Sequence, residues 1–235
     1  MIADRVLNVN RLYQKKRPLS EVCLTFIDDD GSTAILSNIK PLCEKYKIPF
    51  TLAFVTTIQG LGISNSLFMQ NNLKCEIASH SKSHKYYDRI TEAEMIEEIV
   101  DSKTIFYGRS LFTNNFVYPG GISNEFSINL VSQNYNCGFK ASGGVNFKPI
   151  NRYNLSRIAL GAYIPNGQLN TIEFYKSKID EAIVGNGWLV FMTHVGDLAS
   201  GHTETQQQYL EQTIQYALSR GVQIVNVQTG LNNFL

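Results

Sequence analysis

One stretch near the start of the chain is the most informative part of the sequence: Val22-Cys23-Leu24-Thr25-Phe26-Ile27-Asp28-Asp29-Asp30-Gly31. Its apolar part is rich in β-branched and aromatic residues, which predicts a buried strand with no solvated face. The strand runs directly into three carboxylates and a glycine, which are also the usual residues of tight turns. Because functional residues of α/β folds gather where parallel strands end, the carboxylates are candidates for a site as well as for a turn.

Outward from this strand, short apolar runs alternate with longer helix-patterned segments along the chain. The predicted strands cover residues 22–27, 50–55, 75–79, 115–118, 137–141, 188–193 and 222–227. The predicted helices cover residues 32–46, 91–111, 123–134, 171–184 and 203–220, with a capping box at Thr91 and Glu94. The pattern predicts an α/β fold of mostly parallel strands, and it suits either a closed barrel or an open doubly wound sheet.

Length and charge narrow the class of protein. A chain of 235 residues can form a single domain, which we place at residues 21–235 behind an N-terminal extension at residues 1–20. The formal net charge is +1 and no block of like charges occurs, so we expect neither nucleic acid nor a membrane surface as partner. No apolar run approaches the roughly 20 residues of a membrane span, and we expect no signal peptide in residues 1–20.

The cysteine pattern predicts neither disulfide bonds nor a zinc knuckle. The four of them, Cys23, Cys43, Cys75 and Cys137, lack the C-x-x-C spacing of zinc knuckles. Three lie within apolar runs that are patterned as strand or helix. Because unpaired cysteine is among the most buried residue types, we predict buried free thiols.

Two histidines follow another predicted strand, in His80-Ser81-Lys82-Ser83-His84. In a helical turn, residues at i and i+4 share one face. Two neutral imidazoles and one carboxylate leave positions open on a divalent ion, as in hydrolytic zinc sites. The spacing by itself is a weak signal, since histidine pairs also occur on surfaces, but its coincidence with the Asp cluster at another strand end strengthens it.

The remaining histidines differ in context. His194 directly follows the most apolar predicted strand, at residues 188–193, and we predict a proton-transfer role for it. The alternative is structural, because a ring nitrogen can bond a loop carbonyl. His202 lies in a turn rich in glycine and serine, and we expect it at the surface.

These elements, in this order, resemble the polysaccharide deacetylase family, also known as NodB-homology proteins or family 4 carbohydrate esterases. The family's Thr-Phe-Asp-Asp-Gly motif is similar to residues 25–31, and its His-Ser/Thr-x-x-His motif to residues 80–84. The Phe-x-Tyr-Pro-x-Gly variant of its third motif resembles residues 116–121, and its Leu-x-x-His motif resembles residues 190–194. The resemblance implies a distorted (β/α)7-type barrel of the TIM-like kind.

The resemblance also implies an activity: metal-dependent hydrolysis of N-acetyl groups, with O-acetyl groups as second choice, on a polysaccharide or amino-sugar glycan. Zinc is the expected ion, although cobalt, nickel and manganese suit the same ligands. His194 would protonate the leaving amine, and the metal and the Gly120 N–H would hold the oxyanion. We expect Asp30, Tyr118, Pro119 and Gly120 to contact the substrate. Relatives of this kind imply an extracellular or cell-surface location.

Three aspartates stand where the family has two, so the register has two readings. Keeping the apolar Ile27 directly before the pair makes Asp28 the general base and Asp29 the metal ligand, together with His80 and His84. Anchoring on the following glycine makes Asp29 the base and Asp30 the ligand. We predict the first register, because an apolar residue must close the strand beneath the site.

The family's Arg-x-Pro motif reads Val117-Tyr118-Pro119 here, so the arginine that pairs with the catalytic Asp must come from elsewhere. Residues 151–158 resemble the segment that supplies a substitute in relatives with this variant. We predict that Arg157, and not Arg152, fills the role. Most arginines are exposed, and a salt bridge at the surface is the alternative for both.

Two other functions remain open. The motifs specify amide hydrolysis and not the acyl acceptor, so a small non-sugar amide is one alternative. A carbohydrate-binding pseudoenzyme on the same fold is the other. The chain contains no G-x-S-x-G, P-loop or complete G-x-G-x-x-G, so serine-hydrolase and nucleotide chemistry have no support.

Overall fold

A single parallel sheet organises the protein, whose computed structural model describes residues 22–57, 60–199 and 201–235. The described strands are β1 Cys23–Asp29, β2 Thr51–Phe54, β3 Glu76–Ser79, β4 Asn115–Val117, β5 Cys137–Phe139, β6 Ile158–Ala159, β7 Trp188–Thr193 and β8 Gln223–Ile224. Their order is β5-β4-β3-β2-β1-β7-β6, with β8 paired to β1. The predicted extension at residues 1–20 and its boundary lie outside the described residues.

Helices cover the outer face of this sheet, except the last, whose apolar residues pack into its interior. They are α1 Ile35–Asn38, α2 Lys40–Tyr46, α3 Ile63–Leu73, α4 Glu92–Ile96, α5 Ser102–Gly108, α6 Glu125–Asn134, α7 Ile172–Gly185, α8 Glu204–Ser219 and α9 Val227–Phe234. A single turn of π-helix at Glu97–Asp101, called the π-turn below, joins α4 to α5, and a 3-10 turn, Pro119–Gly121, follows β4. Within the described ranges, no helix is both long enough and apolar enough to cross a membrane.

The two faces of β1 bury different side chains. Leu24 and Phe26 pack against the covering helices, whereas Cys23 and Ile27 face the interior of the curled sheet. The interior also holds Trp188 of β7 and apolar residues of α9. Since successive side chains of a strand point to opposite faces, this assignment also decides where the residues beyond Ile27 point.

The sheet curls into a half-barrel, and its two edge strands are linked by the chain that runs from β5 to β6. In that segment the Leu155 N–H donates to the Gly138 carbonyl at 2.9 Å, and the Leu155 carbonyl accepts from the Lys140 N–H at 3.0 Å. This link brings Arg157 to the top of the interior. The predicted α/β fold, a distorted (β/α)7-type barrel of parallel strands, is confirmed.

The predicted elements match the described ones with two kinds of error. The sequence predicts one strand at residues 222–227, but only Gln223–Ile224 is strand and α9 starts at Val227. Strand β6 and helices α3 and α9 are absent from the prediction. The capping box is present, because Thr91 Oγ1 accepts from the Glu94 N–H while the Glu94 carboxylate accepts from the Thr91 N–H.

Two expectations about single residues have opposite outcomes. All four cysteines are buried and free, as predicted. The expectation that His202 lies at the surface is wrong: it is only 3% exposed, and its Nε2 lies 3.1 Å from Gln207 Oε1. A polar turn composition therefore does not imply an exposed ring.

Candidate metal and catalytic site

The interior faces of three strands converge at their C-terminal ends. Asp29 follows Ile27 at a spacing of two on β1, His80 follows Ala78 on β3, and His194 extends the interior face of β7. Each therefore points into the top of the half-barrel. Parallel strands end at the same edge of a sheet, which is why residues so far apart in sequence meet here.

A cavity of about 420 Å³ opens at this edge. The cavity is lined by the candidate residues Asp29, Asp30, His80, His84, Arg157 and His194, by Gly120 and Gly121, and by Tyr86, Ile122, Ala141, Ser142, Tyr163, Pro165 and Met192. Titratable groups and apolar or aromatic groups therefore both line it. This combination is typical of binding sites for small molecules and substrates.

Asp30, His80 and His84 form a cluster that could hold a metal ion. One ligand atom from each lies within 4.8 Å of the others. Asp30 Oδ1 is 3.6 Å from His80 Nε2 and 3.5 Å from His84 Nε2. Asp30 Oδ1 is also buried without a hydrogen-bond partner among the described residues. An orphaned carboxylate oxygen between two imidazole nitrogens fits a divalent cation.

The orientation of His80 supports this fit. Its Nδ1 lies 2.8 Å from the Val117 carbonyl oxygen, which can only accept, so Nδ1 carries the hydrogen and the Nε2 lone pair faces the cluster. Burial lowers the pKa of His80, and the neighbouring Asp29 and Asp30 only partly oppose this effect. A neutral ring is the form that binds metal.

Left-handed backbone is concentrated around the cluster. Asp30 has φ 72°, Ser81 φ 70° and His84 φ 63°, all unusual for residues other than glycine. Such conformations cost on the order of 1–3 kcal/mol each and persist only where the surroundings hold them in place. Here the Thr56 N–H donates to the Ser81 carbonyl at 3.2 Å, and the Ser81 hydroxyl accepts from the His84 N–H at 2.9 Å.

Asp29 forms a buried ion pair with Arg157. Arg157 Nη1 lies 2.8 Å from Asp29 Oδ1, and Arg157 Nε donates to the Lys140 carbonyl at 2.9 Å. Burial alone would raise the pKa of Asp29, but the charges of Arg157, His80 and His194 outweigh it and lower that pKa to about 2. Asp29 is therefore ionised.

Arg152 lies elsewhere. Its Nε donates to the Asn136 carbonyl at 2.7 Å, and its guanidinium stacks on the Tyr153 ring. The structure thus places Arg157, and not Arg152, beside Asp29.

Asp28 points away from the cavity. It is fully buried on the helix-covered face of β1, where its Oδ1 accepts from the Thr193 hydroxyl at 2.8 Å and from the Val195 N–H at 2.9 Å. Burial raises the pKa of Asp28 well above its usual range. The predicted register, with Asp28 as base and Asp29 as ligand, does not fit these positions.

The register anchored on Gly31 fits the geometry instead, with Asp29 beside Arg157 and Asp30 beside the histidines. The premise of the prediction still holds, because an apolar residue does close the strand beneath the site. Side chains alternate along a strand, however, so Ile27 lies beneath Asp29 and not beneath its immediate neighbour Asp28.

His194 lies across the cavity from the histidine pair. Its Nε2 is 3.8 Å from Asp29 Oδ2, and its Nδ1 is buried without a partner among the described residues. Burial lowers its pKa, and the Asp29 carboxylate opposes that effect. The Tyr163 ring packs edge-on against the imidazole, with centroids 4.5 Å apart, and the Tyr163 hydroxyl donates to Asp197 Oδ2 at 2.8 Å.

The expected substrate contacts are only partly in place. Asp30 and Gly120 line the cavity, whereas Tyr118 and Pro119 are buried. Tyr118 lies on the helix-covered face of the sheet, and its hydroxyl donates to the Tyr153 carbonyl at 2.9 Å. The Tyr118 side chain thus packs in the core and does not line the cavity, and its predicted contact with substrate is untested.

Tyr86 and Tyr163 are site residues that the sequence does not predict. They lie on loops, and their rings contact His84 and His194 respectively, with centroids 5.6 Å and 4.5 Å apart. No periodic pattern surrounds either tyrosine. Proximity along the chain to the second histidine of the H-x-x-x-H pair is the one signal available for Tyr86.

Comparison with known proteins gives one family. The family described as polysaccharide deacetylase matches residues 14–138. No curated protein sequence matches the chain.

Solved structures share the fold at low sequence identity. A family 4 acetyl xylan esterase from Clostridium thermocellum, in complex with a cobalt ion, is 18% identical with a TM-score of 0.61, covering 89% of this chain and 90% of that chain. A family 4 carbohydrate esterase from Streptomyces lividans, in complex with acetate, is 13% identical with a TM-score of 0.63, covering 86% and 91%. A CE4 family pseudoenzyme from Bacillus anthracis is 10% identical with a TM-score of 0.61, covering 90% and 66%.

Proposed function

This chain belongs to the polysaccharide deacetylase family, and on that premise we propose that it is a metal-dependent hydrolase of N-acetyl groups on a polysaccharide or amino-sugar glycan. O-acetyl groups are the second choice of substrate. One observation carries the proposal: the Asp30, His80 and His84 cluster lies in the same cavity as the Asp29–Arg157 pair and His194. A metal site, an ionised carboxylate and a candidate proton donor are the parts that amide hydrolysis requires.

Asp30, His80 and His84 would hold the ion. When bound there, a divalent metal lowers the pKa of a water molecule and polarises the acyl carbonyl. Zinc is our first choice, since two imidazoles and one carboxylate suit it, and the same set accepts cobalt, nickel or manganese.

Asp29 is our proposed general base, in place of Asp28. Arg157 occupies Asp29 Oδ1, so Oδ2 remains to accept the proton of the attacking water. The low pKa of Asp29 keeps this carboxylate ionised. Arg157 thereby orients the base and is fully buried, so its orientation does not depend on solvent.

His194 is our proposed general acid. Its Nε2 is 3.8 Å from Asp29 Oδ2, so a small side-chain movement brings the two groups into contact and the proton taken from water can reach the ring. The ring would then protonate the departing amine. The Gly120 N–H is our candidate to hold the oxyanion, because Gly120 lines the cavity and Pro119 has no N–H.

Acetate release tests the proposed function directly. The purified protein, freed of metal and then supplied with Zn²⁺, should release acetate from N-acetylated sugar oligomers, and a chelator should stop the release. No release with any of the four metals would favour our alternative, a carbohydrate-binding pseudoenzyme; one of the similar structures is a CE4 family pseudoenzyme from Bacillus anthracis. Hydrolysis of small non-sugar amides without hydrolysis of the oligomers would identify the other alternative.

Loss of the His194 ring should affect amides more than activated esters. In His194→Ala, turnover of an N-acetyl substrate should fall on the order of 10²–10⁴-fold, the usual worth of general acid–base catalysis. An acetyl ester with a good leaving group needs no proton to leave, so the variant should retain a larger share of that activity. Steady-state kinetics on both substrates measures the ratio, and equal losses would instead assign His194 a packing role.

Loss of the Arg157 charge should lower turnover and make the Asp29 carboxylate easier to protonate, without releasing the metal. Arg157→Ala removes the cation that lowers the pKa of Asp29, so the acid limb of the kcat/KM profile should move to higher pH. Breaking a buried ion pair from one side should also lower the free energy of unfolding by about 3–5 kcal/mol. Arg152→Ala is the matched control, since Arg152 lies outside the cavity. A larger activity loss in the control would contradict the assignment.

A further inference from the structure

Two buried carboxyl groups lie outside the cavity but contact the backbone that carries its histidines. Asp28 is on the outer face of β1, and Glu98 is on the π-turn between α4 and α5. Neither lines the cavity. Burying a carboxyl group costs folding free energy unless hydrogen bonds compensate for the lost hydration, so the partners of each buried carboxyl group require an explanation.

Asp28 holds the chain on both sides of His194. The residue before His194 donates its hydroxyl to Asp28 Oδ1 at 2.8 Å, and the residue after it donates its N–H to the same oxygen at 2.9 Å. A single acceptor atom thus ties Thr193 and Val195 to the end of β1. The peptide that carries the imidazole is thereby fixed relative to Asp29, the next residue along β1.

Glu98 holds the loop at residues 80–84. Its carboxylate accepts from the Ser83 N–H at 2.8 Å and from the Ser83 hydroxyl, and its backbone carbonyl accepts from the Lys82 N–H at 3.0 Å. Glu98 is only 3% exposed. The loop needs such support because Ser81 and His84 within it adopt left-handed backbone at φ 70° and 63°.

The π-turn independently supports a role for Glu98. Helices rarely contain π-turns, and those that occur are concentrated at functional sites. Here the turn spans Glu97–Asp101 and lies directly against the loop that carries His80 and His84. Glu98 is the buried carboxyl residue of this turn.

We propose that Asp28 and Glu98 are positioning residues that act on different parts of the site. Asp28 fixes the proton donor His194, and Glu98 fixes the two histidines of the metal cluster. Both roles rest on the proposed function. They predict opposite patterns of damage, because one residue supports the acid and the other supports the ligands.

The proposed role of Glu98 is tested by titrating the metal-free protein with Zn²⁺ in a calorimeter. Glu98→Ala should bind Zn²⁺ about 10–100-fold more weakly than the wild type, the loss known for groups that support metal ligands, because Glu98 holds the loop between the two histidines. Glu97→Ala is the matched control, because Glu97 is exposed and makes one long ion pair to Lys82, at 3.6 Å. Equal affinity of Glu98→Ala and Glu97→Ala would overturn the role of Glu98.

The proposed role of Asp28 is tested by the ratio of turnover on an N-acetyl oligomer to turnover on an activated acetyl ester. Asp28→Ala should lower this ratio on the order of 10–100-fold while Zn²⁺ affinity stays at the wild-type value, since a misplaced catalytic group costs this much. Thr193→Val should lower the ratio less, because the Val195 N–H bond to Asp28 survives. Equal losses on both substrates, or loss of Zn²⁺ binding, would overturn the role of Asp28.

Variants that keep the shape of the side chain guard against misfolding. Asp28→Asn and Glu98→Gln retain one acceptor oxygen each, so both should recover most of what the alanine variants lose. Failure of this rescue would overturn the positioning roles. If the wild type itself neither binds Zn²⁺ nor releases acetate, the proposed function fails as a whole, and that result is distinct from any pattern among the variants.

Discussion

Replacing either His80 or His84 with alanine should leave a folded protein that no longer retains a divalent ion and releases no measurable acetate. The ligand atoms of Asp30, His80 and His84 lie within 4.8 Å of one another, so each removal leaves only two protein ligands. Loss of a group that merely supports a ligand costs roughly 10–100-fold in affinity, and loss of a ligand should cost more. Elemental analysis after dialysis measures the bound metal, and acetate release measures the activity.

His202→Ala is the control for this experiment. His202 is also a buried histidine, but it bonds Gln207 and does not line the cavity. Its loss should leave the metal content unchanged. Metal retained at the wild-type level after removal of both His80 and His84 would remove the foundation of the proposed site.

The pH dependence of metal binding has a definite sign. A histidine binds metal only in its neutral form, so protons compete with the ion as the pH falls below the ordinary histidine pKa of about 6.5. Because burial lowers the pKa of His80, this ring should resist protonation to a lower pH than an exposed histidine. Titrating Zn²⁺ affinity between about pH 8 and pH 5 should show a decline in that range, and constant affinity would argue against histidine ligands.

Three single Asp→Asn variants should separate the two registers of the aspartate cluster. In Asp29→Asn, turnover should fall on the order of 10²–10⁴-fold with metal still bound, because the amide cannot accept the proton of water. In Asp30→Asn, metal binding should weaken sharply, since the carboxylate between the histidines is lost. Asp28→Asn should keep its metal and lose the least activity, because its side chain faces the helices.

The other register predicts a different order among the same variants. If Asp28 were the base and Asp29 the ligand, Asp28→Asn would lose turnover and Asp29→Asn would lose metal. Each variant is nearly isosteric, so cavity volume and packing change little. Measuring both the metal content and kcat of each variant therefore discriminates between the two registers. A crystal structure with Zn²⁺ bound would show the ligating carboxylate directly.

The aspartate register shows where reasoning from the sequence stops. All the residues involved stand in the sequence, and the choice depends on which face of β1 points inward. Strands that are buried on both faces are apolar on both, so β1 has no polar alternation to identify its interior face. The packing of Cys23 and Ile27 against β7 and α9 identifies it. Side-chain alternation then brings Asp29 into the cavity and Asp28 against Thr193.

The same alternation explains Tyr118. Phe116 and Tyr118 lie on the helix-covered face of the sheet at β4, while the Val117 side chain between them faces the interior. The Val117 backbone carbonyl accepts a hydrogen bond from His80. The motif at residues 116–121 correctly marks a loop beside the cavity, but adjacency to Pro119 and Gly120 in sequence does not mean that the ring faces the substrate. The predicted roles of the site residues themselves stay predictions.

By itself the sequence determined the class of fold and the family. Alternating apolar runs and helix patterns predicted parallel strands with covering helices, and the motifs after those strands resembled those of the family, which the match at residues 14–138 confirmed. Such features are local, because periodicity and turn chemistry act over a few residues.

The tertiary structure alone decided which carboxylate meets which histidine. It paired Arg157 with Asp29, 128 residues apart in sequence, and it placed Glu98 beneath the loop that carries the histidine pair. It also buried His202 although the turn around it is polar. These contacts depend on which side chains of each strand point into the interior, on the link between β5 and β6, and on the π-turn before α5. All three arise when the sheet curls and the helices pack on it, so no window of the sequence contains them.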